Sequence, residues 1–261
     1  MFNRFQKRSY ELENIDKGTY TAEEYEGSLV ELRLVNRLLG DAHVLRHSLL
    51  AEIQRAEVRD FSVLDVCAGS GYLLRVVAHW ARHNHCKTEL VGVELNARSA
   101  QSICEESAAF PEVSSVRADG LDLPFADNAF SYVISSLALH HFDDDRAVQL
   151  LREMKRVARR GIFVIDLHRH PIAYLLYTTA GRIILHNRLL REDGALSILR
   201  SFRRRELAAL AERAGLNGAQ VERKFPFRLV LRAPGKVPPF APSAHRGARP
   251  RETDNSIRRT A

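Results

Sequence analysis

Residues 63–74 read VLDVCAGSGYLL, and this stretch decides the fold. Apolar, β-prone residues surround Asp65, a turn of small residues follows, and from Gly71 the sequence continues as the opening of a helix. The pattern predicts a strand, a glycine loop and a helix. Such a loop places free backbone N–H groups and a helix N-terminus at the carboxyl end of a strand, where nucleotide-like ligands bind.

The chain from Phe61 onward alternates between apolar runs and amphipathic segments. This pattern predicts strands at 61–66, 89–94, 113–117, 129–136 and 161–166, and helices at 71–83, 97–107 and 144–158. Continuous apolar runs such as GIFVIDL (161–167) indicate parallel strands that are buried on both faces.

The C-terminal part of the domain follows a different pattern. A helix in RRRELAALAERAGL (203–216) is followed by strands in AQVERKF (219–225) and FRLVLRA (227–233). The two strands are joined too closely for a parallel crossover, so they form an antiparallel hairpin. We therefore predict an α/β fold with a doubly wound, mostly parallel seven-stranded sheet, a C-terminal antiparallel hairpin and N-terminal helices.

The first sixty residues are predicted to be an N-terminal helical extension. In TAEEYEGSLVELRLVNRLLG (21–40), Thr21 and Glu24 have the spacing of a capping box, and Gly40 is a stop signal. One helical face collects the apolar residues Leu29, Leu32, Val35, Leu38 and Leu39. A second helix is expected from about Ala42 to Glu57, and the two helices should pack beside the main domain at 61–232.

The composition is that of one α/β domain of ordinary size. Of the 261 residues 45% are hydrophobic, and no apolar run approaches the roughly 20 residues that cross a bilayer. The start, MFNRFQKRSYELENID, lacks the apolar core of a signal peptide. Three cysteines, Cys67, Cys86 and Cys104, match no zinc or disulfide spacing, and their odd number is typical of a reducing compartment. We expect a cytoplasmic protein without a membrane span, and we expect no metal.

The formal net charge of +7 is concentrated at the C-terminus. From Arg232 to the end there are seven Lys/Arg and two Asp/Glu, so +5 belongs to RAPGKVPPFAPSAHRGARPRETDNSIRRTA. This composition predicts a disordered basic tail at 233–261. The remainder of the chain does not have the basic excess of a nucleic-acid-binding body, and nucleic acid is not the expected partner.

The segment PIAYLLYTTAGRIILHNRLL (171–190) is apolar and aromatic but interrupted by Gly181. It has two interpretations, a helix of the core or a lid over a substrate. Its position after a strand end favours the lid, which we place at about 168–200.

The glycine loop does not fit a dinucleotide. That motif needs three glycines, and Gly69 and Gly71 supply two, whereas Leu74 occupies the third position. The phosphate-loop pattern with Gly-Lys-Ser/Thr is absent as well. Asp65 would repel a diphosphate and suits a ligand with a positive charge.

Four motifs in order carry a family resemblance. They are VLDVCAGSG (63–71), VGVE (91–94), RADGLDLPFADNAF (117–130) and SSLALHHF (135–142). Together they resemble class I S-adenosylmethionine-dependent methyltransferases, which implies a Rossmann-like sheet, methyl transfer and S-adenosylmethionine as the cofactor. The resemblance is good over about 61–166 and loose over 167–232. One departure is Cys67, which stands where the family usually has glycine.

The resemblance implies a role for each motif residue. Gly69 and Gly71 let the backbone approach the methionine part and the ribose, and Asp65 lies near the amino group. Glu94, with Leu95 beside it, would accept the two ribose hydroxyls. The adenine and methionine sites would use these further residues: Cys67, Asp119, Gly120, Leu121, Ser135 and Leu137. Taken singly, Asp119 is equally well a turn former and Glu94 a helix cap.

Four histidines follow strand ends, namely His140, His141, His168 and His170. Because ligands bind at the carboxyl ends of strands in open α/β sheets, all four are expected near the site. Transfer to oxygen or carbon also removes a proton, for which histidine is suited. We rank His168 first as the base, His170 second and His141 third. Asp166 would either orient one of these histidines or cap the lid segment.

The acceptor is expected to be a small molecule. Aromatic residues of the lid and of the N-terminal helix, such as Tyr174, Tyr177, Tyr20 and Tyr25, favour a flat phenol, quinol or polyketide ring. The chain also loosely resembles ubiquinone- and menaquinone-type methyltransferases. Two alternatives stay open: methylation of RNA or protein with the basic tail as an anchor, and an inactive cofactor-binding regulatory protein. The oligomeric state is left open.

Overall fold

The structure is a computed structural model that describes residues 2–38 and 40–236. Its strands are β1 (Asp60–Val66), β2 (Lys87–Glu94), β3 (Val113–Arg117), β4 (Phe130–Ser136), β5 (Ala158–Leu167), β6 (Gln220–Lys224) and β7 (Arg228–Pro234). They form one sheet in the order β3-β2-β1-β4-β5-β7-β6. Strands β1 to β5 pair in parallel, and β7 pairs antiparallel with both β5 and β6. The predicted doubly wound sheet with a C-terminal hairpin is confirmed.

Helices cover both faces of the sheet. They are α1 (Asn14–Lys17), α2 (Ala22–Leu38), α3 (Asp41–Leu45), α4 (Ala51–Arg55), α5 (Tyr72–His83), α6 (Ala97–Glu106), α7 (Asp144–Val157), α8 (Pro171–Ile184), α9 (Arg188–Arg200) and α10 (Arg204–Arg213). The core has two parts. Side chains of α7 and α10 pack on one face of the sheet, and side chains of α3 to α6 pack on the other. Strand β1 serves both parts, because Val63 points to one face and Leu64 to the other.

Two strands start earlier than the apolar pattern predicts. Strand β2 begins at Lys87 rather than 89, and β5 begins at Ala158, directly after α7, rather than at 161. The additional residues are partly polar, yet they pair with neighbouring strands. Backbone pairing does not require an apolar side chain, and of the additional residues of β5 Ala158 is small and Arg160 is charged although both are buried, so hydrophobicity alone does not detect them.

The N-terminal helices form where they are predicted. The capping box of α2 has both of its hydrogen bonds, from Glu24 N to Thr21 Oγ1 (3.1 Å) and from Thr21 N to Glu24 Oε2 (2.9 Å). The predicted apolar face of α2 lies outside the described side chains, and Leu39 is not described at all. The second predicted helix runs through α3, a π-helical turn at Arg46–Leu50 and α4.

A buried ion pair joins this extension to the sheet. Arg228 Nε of β7 lies 2.6 Å from Asp41 Oδ1 of α3, and both side chains are 2% exposed. A buried charge that loses its partner is strongly destabilising, so this pair makes residues 40–55 part of the folded domain rather than a separate module.

A helical layer covers the carboxyl end of the parallel strands. The predicted lid segment consists of α8 and α9, and α1 and α2 pack against α9. The N-terminal segment is held by Arg8, which stacks on Phe202 and bonds to Asp144 and to the carbonyl oxygens of His140 and Phe142. Within the described residues no helix is long and apolar enough to span a membrane. Most of the predicted basic tail, 237–261, lies outside the described residues.

Candidate active site

The glycine loop joins β1 to α5 through left-handed backbone. Gly71 is the N-cap of α5 with φ of 74°, and a Cβ there would lie 3.0 Å from Cγ2 of Ile103. Gly69 has φ of 58°, and a Cβ there would meet no atom within 4 Å. Packing therefore requires glycine at 71, whereas Gly69 borders open space in which a ligand can approach the backbone.

Cys67 adopts the same left-handed conformation with φ of 61°. This conformation costs a residue with a Cβ about 1 kcal/mol, which explains why glycine is favoured here. The Cys67 N–H donates to the Val93 carbonyl at 2.9 Å, which holds the loop against β2. Burial, and then the nearby charges of Glu94, Asp65 and Asp119, raise the pKa of the Cys67 thiol far above its ordinary value. The thiol is therefore protonated.

Glu94 ends β2, and its carboxylate reaches the glycine loop. The Gly69 N–H donates to Glu94 Oε1 at 2.6 Å. The following helix α6 is capped by Asn96, whose side chain accepts from the backbone of Arg98 and Ser99, so Glu94 is not needed as that cap. Burial raises the pKa of Glu94, and the N–H of Gly69 offsets part of that rise. A carboxylate here has acceptor oxygens suited to hydroxyl groups.

Asp65 is the buried carboxylate of the loop. It is 2% exposed, and its Oδ1 has no hydrogen-bond partner among the described residues. Burial, and second the charge of Glu94, raise the pKa of Asp65 well above its ordinary value. A positive amino group beside Asp65 would stabilise the ionised form and satisfy the unpaired oxygen.

Asp119 lies after β3 and forms a turn. Its Oδ1 accepts from the Leu121 N–H at 2.9 Å, so the turn-forming interpretation holds for this oxygen. Gly120 lies tight against β1, where a Cβ would be 2.9 Å from Cγ1 of Val66. Leu121 is buried. The turn thus brings a carboxylate and an apolar residue to the same edge of the sheet as the glycine loop.

Three further predicted residues lie close to this edge. The Ser135 hydroxyl donates to the Val66 carbonyl at 2.8 Å and ties β4 to β1. Leu137 has φ of 53°, and its N–H donates to the Ile165 carbonyl. Leu95 is 64% exposed beside Glu94. Ser135 thus holds β4 against the strand that leads into the glycine loop, Leu137 is tied to β5, and Leu95 is an exposed apolar side chain.

His168 and His170 lie on the side of β5 that faces the hairpin. Their rings are 5.5 Å apart, and the His170 ring packs against Phe227 at 5.2 Å. Burial and then the charge of Arg223 lower the pKa of His168 to about 4. His170 caps α8 by accepting from the Ile172 N–H. The contacts found for these two rings connect them with β6 and β7, not with the glycine loop.

Asp166 pairs with His140. Its Oδ1 lies 2.6 Å from His140 Nδ1, and its Oδ2 accepts from the His140 N–H at 3.0 Å. Asp166 thus orients His140, the one of the four strand-end histidines that was not ranked as a base, and the alternative that it caps the lid is wrong, since His170 is the cap of α8. Asp166 and His140 are adjacent only because β4 and β5 are paired and end together.

His141 lies on the cofactor side of the sheet edge. Its Nδ1 is 3.0 Å from Asp16 Oδ1, and its charge when protonated contributes to lowering the pKa of Glu94. Glu13 lies beside both histidines, 3.9 Å from each, and burial raises its pKa to about 7. Sequence reasoning missed Glu13 and Asp16, because no local pattern connects the N-terminal segment with a strand end so far along the chain.

Two tyrosines of the N-terminal region approach the same edge. Tyr20 and Tyr25 are stacked with centroids 5.3 Å apart, and the Tyr25 hydroxyl lies 2.7 Å from Ser99 Oγ in α6. Tyr174 instead packs against Phe5 at the outer side, and the Tyr177 hydroxyl donates to the Leu190 carbonyl. Of the four predicted aromatic residues, Tyr20 and Tyr25 are therefore those nearest to Glu94 in the fold.

Comparisons with known proteins agree with this geometry. Residues 63–161 match the family model described as a methyltransferase domain. The demethylmenaquinone methyltransferase of Bacillus licheniformis is 26% identical over 171 residues, which cover 61% of this chain and 72% of that protein. That of Staphylococcus aureus is 28% identical over 109 residues, or 42% of this chain and 43% of that protein. The chain thus matches less than half the length of the second relative.

A solved structure extends the comparison to most of the fold. Human N-acetylserotonin methyltransferase in complex with S-adenosylmethionine has a TM-score of 0.58 at 15% identity, covering 88% of this chain and 63% of that chain. The matches together confirm the resemblance that the four motifs carry, and S-adenosylmethionine is the cofactor of this domain type. The residues at the loop fit S-adenosylmethionine. The Asp65 oxygen that lacks a hydrogen bond can pair with the amino group of the cofactor, and the open space at Gly69 lets the cofactor approach the backbone.

Proposed function

We propose that this class I S-adenosylmethionine-dependent methyltransferase transfers a methyl group to an oxygen or carbon atom of a small aromatic acceptor, such as a phenol, a quinol or a polyketide ring. The position of His141 carries the proposal. Its Nδ1 lies 3.0 Å from Asp16 Oδ1 in the N-terminal segment, and its positive charge contributes to lowering the pKa of Glu94. An acceptor at this place would be next to the cofactor and covered by protein.

The cofactor residues take the roles that the motifs imply. Asp65 binds the amino group, Gly69 and Gly71 admit the backbone contacts, and Glu94 accepts from the ribose hydroxyls. Adenine contacts the turn formed by Asp119, Gly120 and Leu121, with Leu95 beside it. Ser135 and Leu137, at the end of β4, lie beside the methionine part, and Cys67 narrows the loop.

The bound cofactor supplies a methyl group on a positively charged sulfur. Its transfer is an in-line displacement, for which the protein chiefly aligns the acceptor atom and excludes water. We place that atom beside His141 rather than beside His168 or His170. Burial and the charges of nearby arginines lower the pKa of His168 to about 4, which makes it a weak base. His168 also lies against the hairpin.

An aromatic acceptor agrees with two further features. Tyr25 is buried and stacks on the partly exposed Tyr20, whose ring can pack against an aromatic acceptor. The curated relatives are named for demethylmenaquinone, a compound whose methylation fits this acceptor class. Neither RNA methylation nor a purely regulatory role has a comparable supporting feature among the described residues.

The test is methyl transfer from radiolabelled S-adenosylmethionine to three acceptor panels: phenols and quinols, RNA, and protein. We expect transfer to the first panel only. The H141Q variant should be slower by about a hundredfold with nearly unchanged cofactor affinity, and H168Q should serve as the matched control with nearly normal rates. Slow H168Q with normal H141Q would move the acceptor to β5.

Two other outcomes would overturn the proposal. Transfer to RNA, with affinity falling steeply as salt rises, would favour the nucleic-acid alternative. Cofactor binding without transfer to any panel would favour the regulatory alternative.

A further inference from the structure

Glu13, His140 and His141 form a cluster of metal-ligating side chains that the cofactor site does not use. His140 Nε2 lies 3.9 Å from Glu13 Oε1, and His141 Nδ1 lies 3.9 Å from Glu13 Oε2. One ligand atom from each of the three lies within 4.8 Å of the others. Asp16 Oδ1, 3.0 Å from His141 Nδ1, adds a fourth oxygen at the edge of the cluster.

Glu13 has an oxygen without a hydrogen bond. The residue is 2% exposed, and Oε1 has no hydrogen-bond partner among the described residues. Its nearest cationic neighbour, Arg200 Nε, is 3.5 Å away and donates instead to the His140 carbonyl. A buried carboxylate oxygen without a hydrogen bond is costly, and a bound cation would remove that cost.

His140 is oriented for coordination. Asp166 Oδ1 lies 2.6 Å from His140 Nδ1, which favours the tautomer with the proton on that nitrogen. The lone pair of Nε2 then points towards Glu13. This carboxylate–histidine arrangement is the one that positions histidine ligands around metal ions in proteins.

Carboxylates outnumber permanently charged cations at the cluster. Three carboxylates, Glu13, Asp16 and Asp166, lie against the two histidines, and the cation in contact with them is Arg200. A divalent ion bound to neutral histidines would balance the two carboxylate charges left over by Arg200, whose guanidinium lies 3.5 Å from both Glu13 and Asp16.

We propose that Glu13, His140 and His141, with Asp16 as a further ligand, bind one divalent first-row transition-metal ion of the Zn²⁺ type. Two imidazoles with carboxylates suit zinc, iron or cobalt better than magnesium or calcium, which prefer oxygen alone. Metal–nitrogen bonds of about 2.1 Å place tetrahedral ligand atoms roughly 3.4 Å apart, so the two pairs at 3.9 Å must close by about 0.5 Å and any pair at the 4.8 Å limit by about 1.4 Å. Side-chain rotation supplies a shift of that size.

A role for the ion follows if the proposed function is correct, on which this step rests. A hydroxyl of the acceptor coordinated to the ion has a lowered pKa and releases its proton to water. The oxygen lone pair then forms the bond to the methyl group, and the electrons of the methyl–sulfur bond go to sulfur. His141 would act as a ligand in this reaction, not as a base.

Metal binding is measured on the full chain without acceptor, after treatment with a chelator and dialysis. Calorimetric titration with Zn²⁺ should give one equivalent, and Co²⁺ should produce the visible absorption of a site with fewer than six ligands. E13Q and H141Q should each weaken Zn²⁺ binding by about a hundredfold or more. The matched control is H47Q, from the exposed pair His43 and His47, whose rings are 4.0 Å apart; it should bind like the wild type.

Several results would overturn the proposal. They are the absence of stoichiometric binding, binding that survives both E13Q and H141Q, and binding that is lost in H47Q. Far-ultraviolet circular dichroism and S-adenosylmethionine affinity of each variant establish that it is folded, and H141Q, at a partly exposed side chain, provides the test should E13Q fail to fold. The titration contains no acceptor, so it measures metal binding alone. A protein that binds no metal could still transfer methyl groups, and a protein that binds metal could still fail to methylate any acceptor, so the two proposals fail separately.

Discussion

Asp166 and His140 form a fully buried pair in which Oδ1 lies 2.6 Å from Nδ1, at the ends of two adjacent parallel strands. Burial alone would raise the pKa of Asp166, but the charge of His140 and hydrogen bonds from His140 and Leu167 lower it below the ordinary value. The pair therefore fixes the position of the His140 ring relative to strand β5.

Replacing Asp166 with asparagine should destabilise the protein by about 3 kcal/mol. The amide has a single acceptor oxygen, whereas the carboxylate accepts from His140 Nδ1, His140 N and Leu167 N. Urea unfolding of D166N measures the loss. D145N is the control, because the Asp145 side chain is 89% exposed, and it should change stability by less than about 0.5 kcal/mol. Equal stability of the two variants would show that the buried pair is not needed.

Cys67 should not react with iodoacetamide at pH 8 in the folded protein. Burial and three neighbouring carboxylates raise the pKa of its thiol, and only the thiolate is a good nucleophile. Cys104 is exposed and provides the internal control. Peptide mass spectrometry after short labelling should find the label on Cys104. Rapid labelling of Cys67 would mean that the loop opens to solvent or that the carboxylates are elsewhere.

His168 should make the protein less stable in mild acid. Its pKa is about 4 when folded and about 6.5 in an unfolded chain, so the unfolded state binds more protons between these values. The stability it contributes is complete above pH 6.5 and is lost as the pH falls towards 4. The loss between pH 8 and pH 5 is roughly 2 kcal/mol.

The H168Q variant isolates this contribution. Its unfolding free energy should fall less steeply than that of the wild type between pH 7 and pH 5. H186Q, at a side chain that is 87% exposed, should follow the wild type. Parallel curves for H168Q and the wild type would mean that the His168 ring titrates normally and is open to water.

Local patterns were sufficient for most of the fold. The run at 63–74 predicts β1, the glycine loop and the start of α5 within one residue, because a parallel strand, a left-handed turn and an amphipathic helix each leave a signature in adjacent residues. Thr21 and Glu24 likewise predict the start of α2, since a capping box is an interaction over three positions. The structure also places Glu94 at the glycine loop, as its strand-end position implies.

The part of the site that depends on distant residues was not predictable. The sequence did not single out His140 as the partner of Asp166, because their contact is set by the pairing of β4 with β5 and not by spacing in the chain. Glu13 and Asp16 were missed for the same reason. They reach the histidines because Arg8 and Arg200 hold the N-terminal segment over the strand ends, through hydrogen bonds to backbone carbonyl groups. No pattern within the segment itself indicates this.

Calorimetric titration of S-adenosylmethionine into the wild type, E94Q and E89Q tests the central claim most directly. Glu94 and Glu89 lie on the same strand, but Glu94 reaches the glycine loop and Glu89 is exposed. The account predicts binding by the wild type and by E89Q with equal affinity, and binding by E94Q that is weaker by about tenfold or more, as expected when a charge-assisted hydrogen bond is lost. Equal affinity of E94Q and the wild type, or no binding by the wild type, would contradict the assignment of the cofactor to this loop.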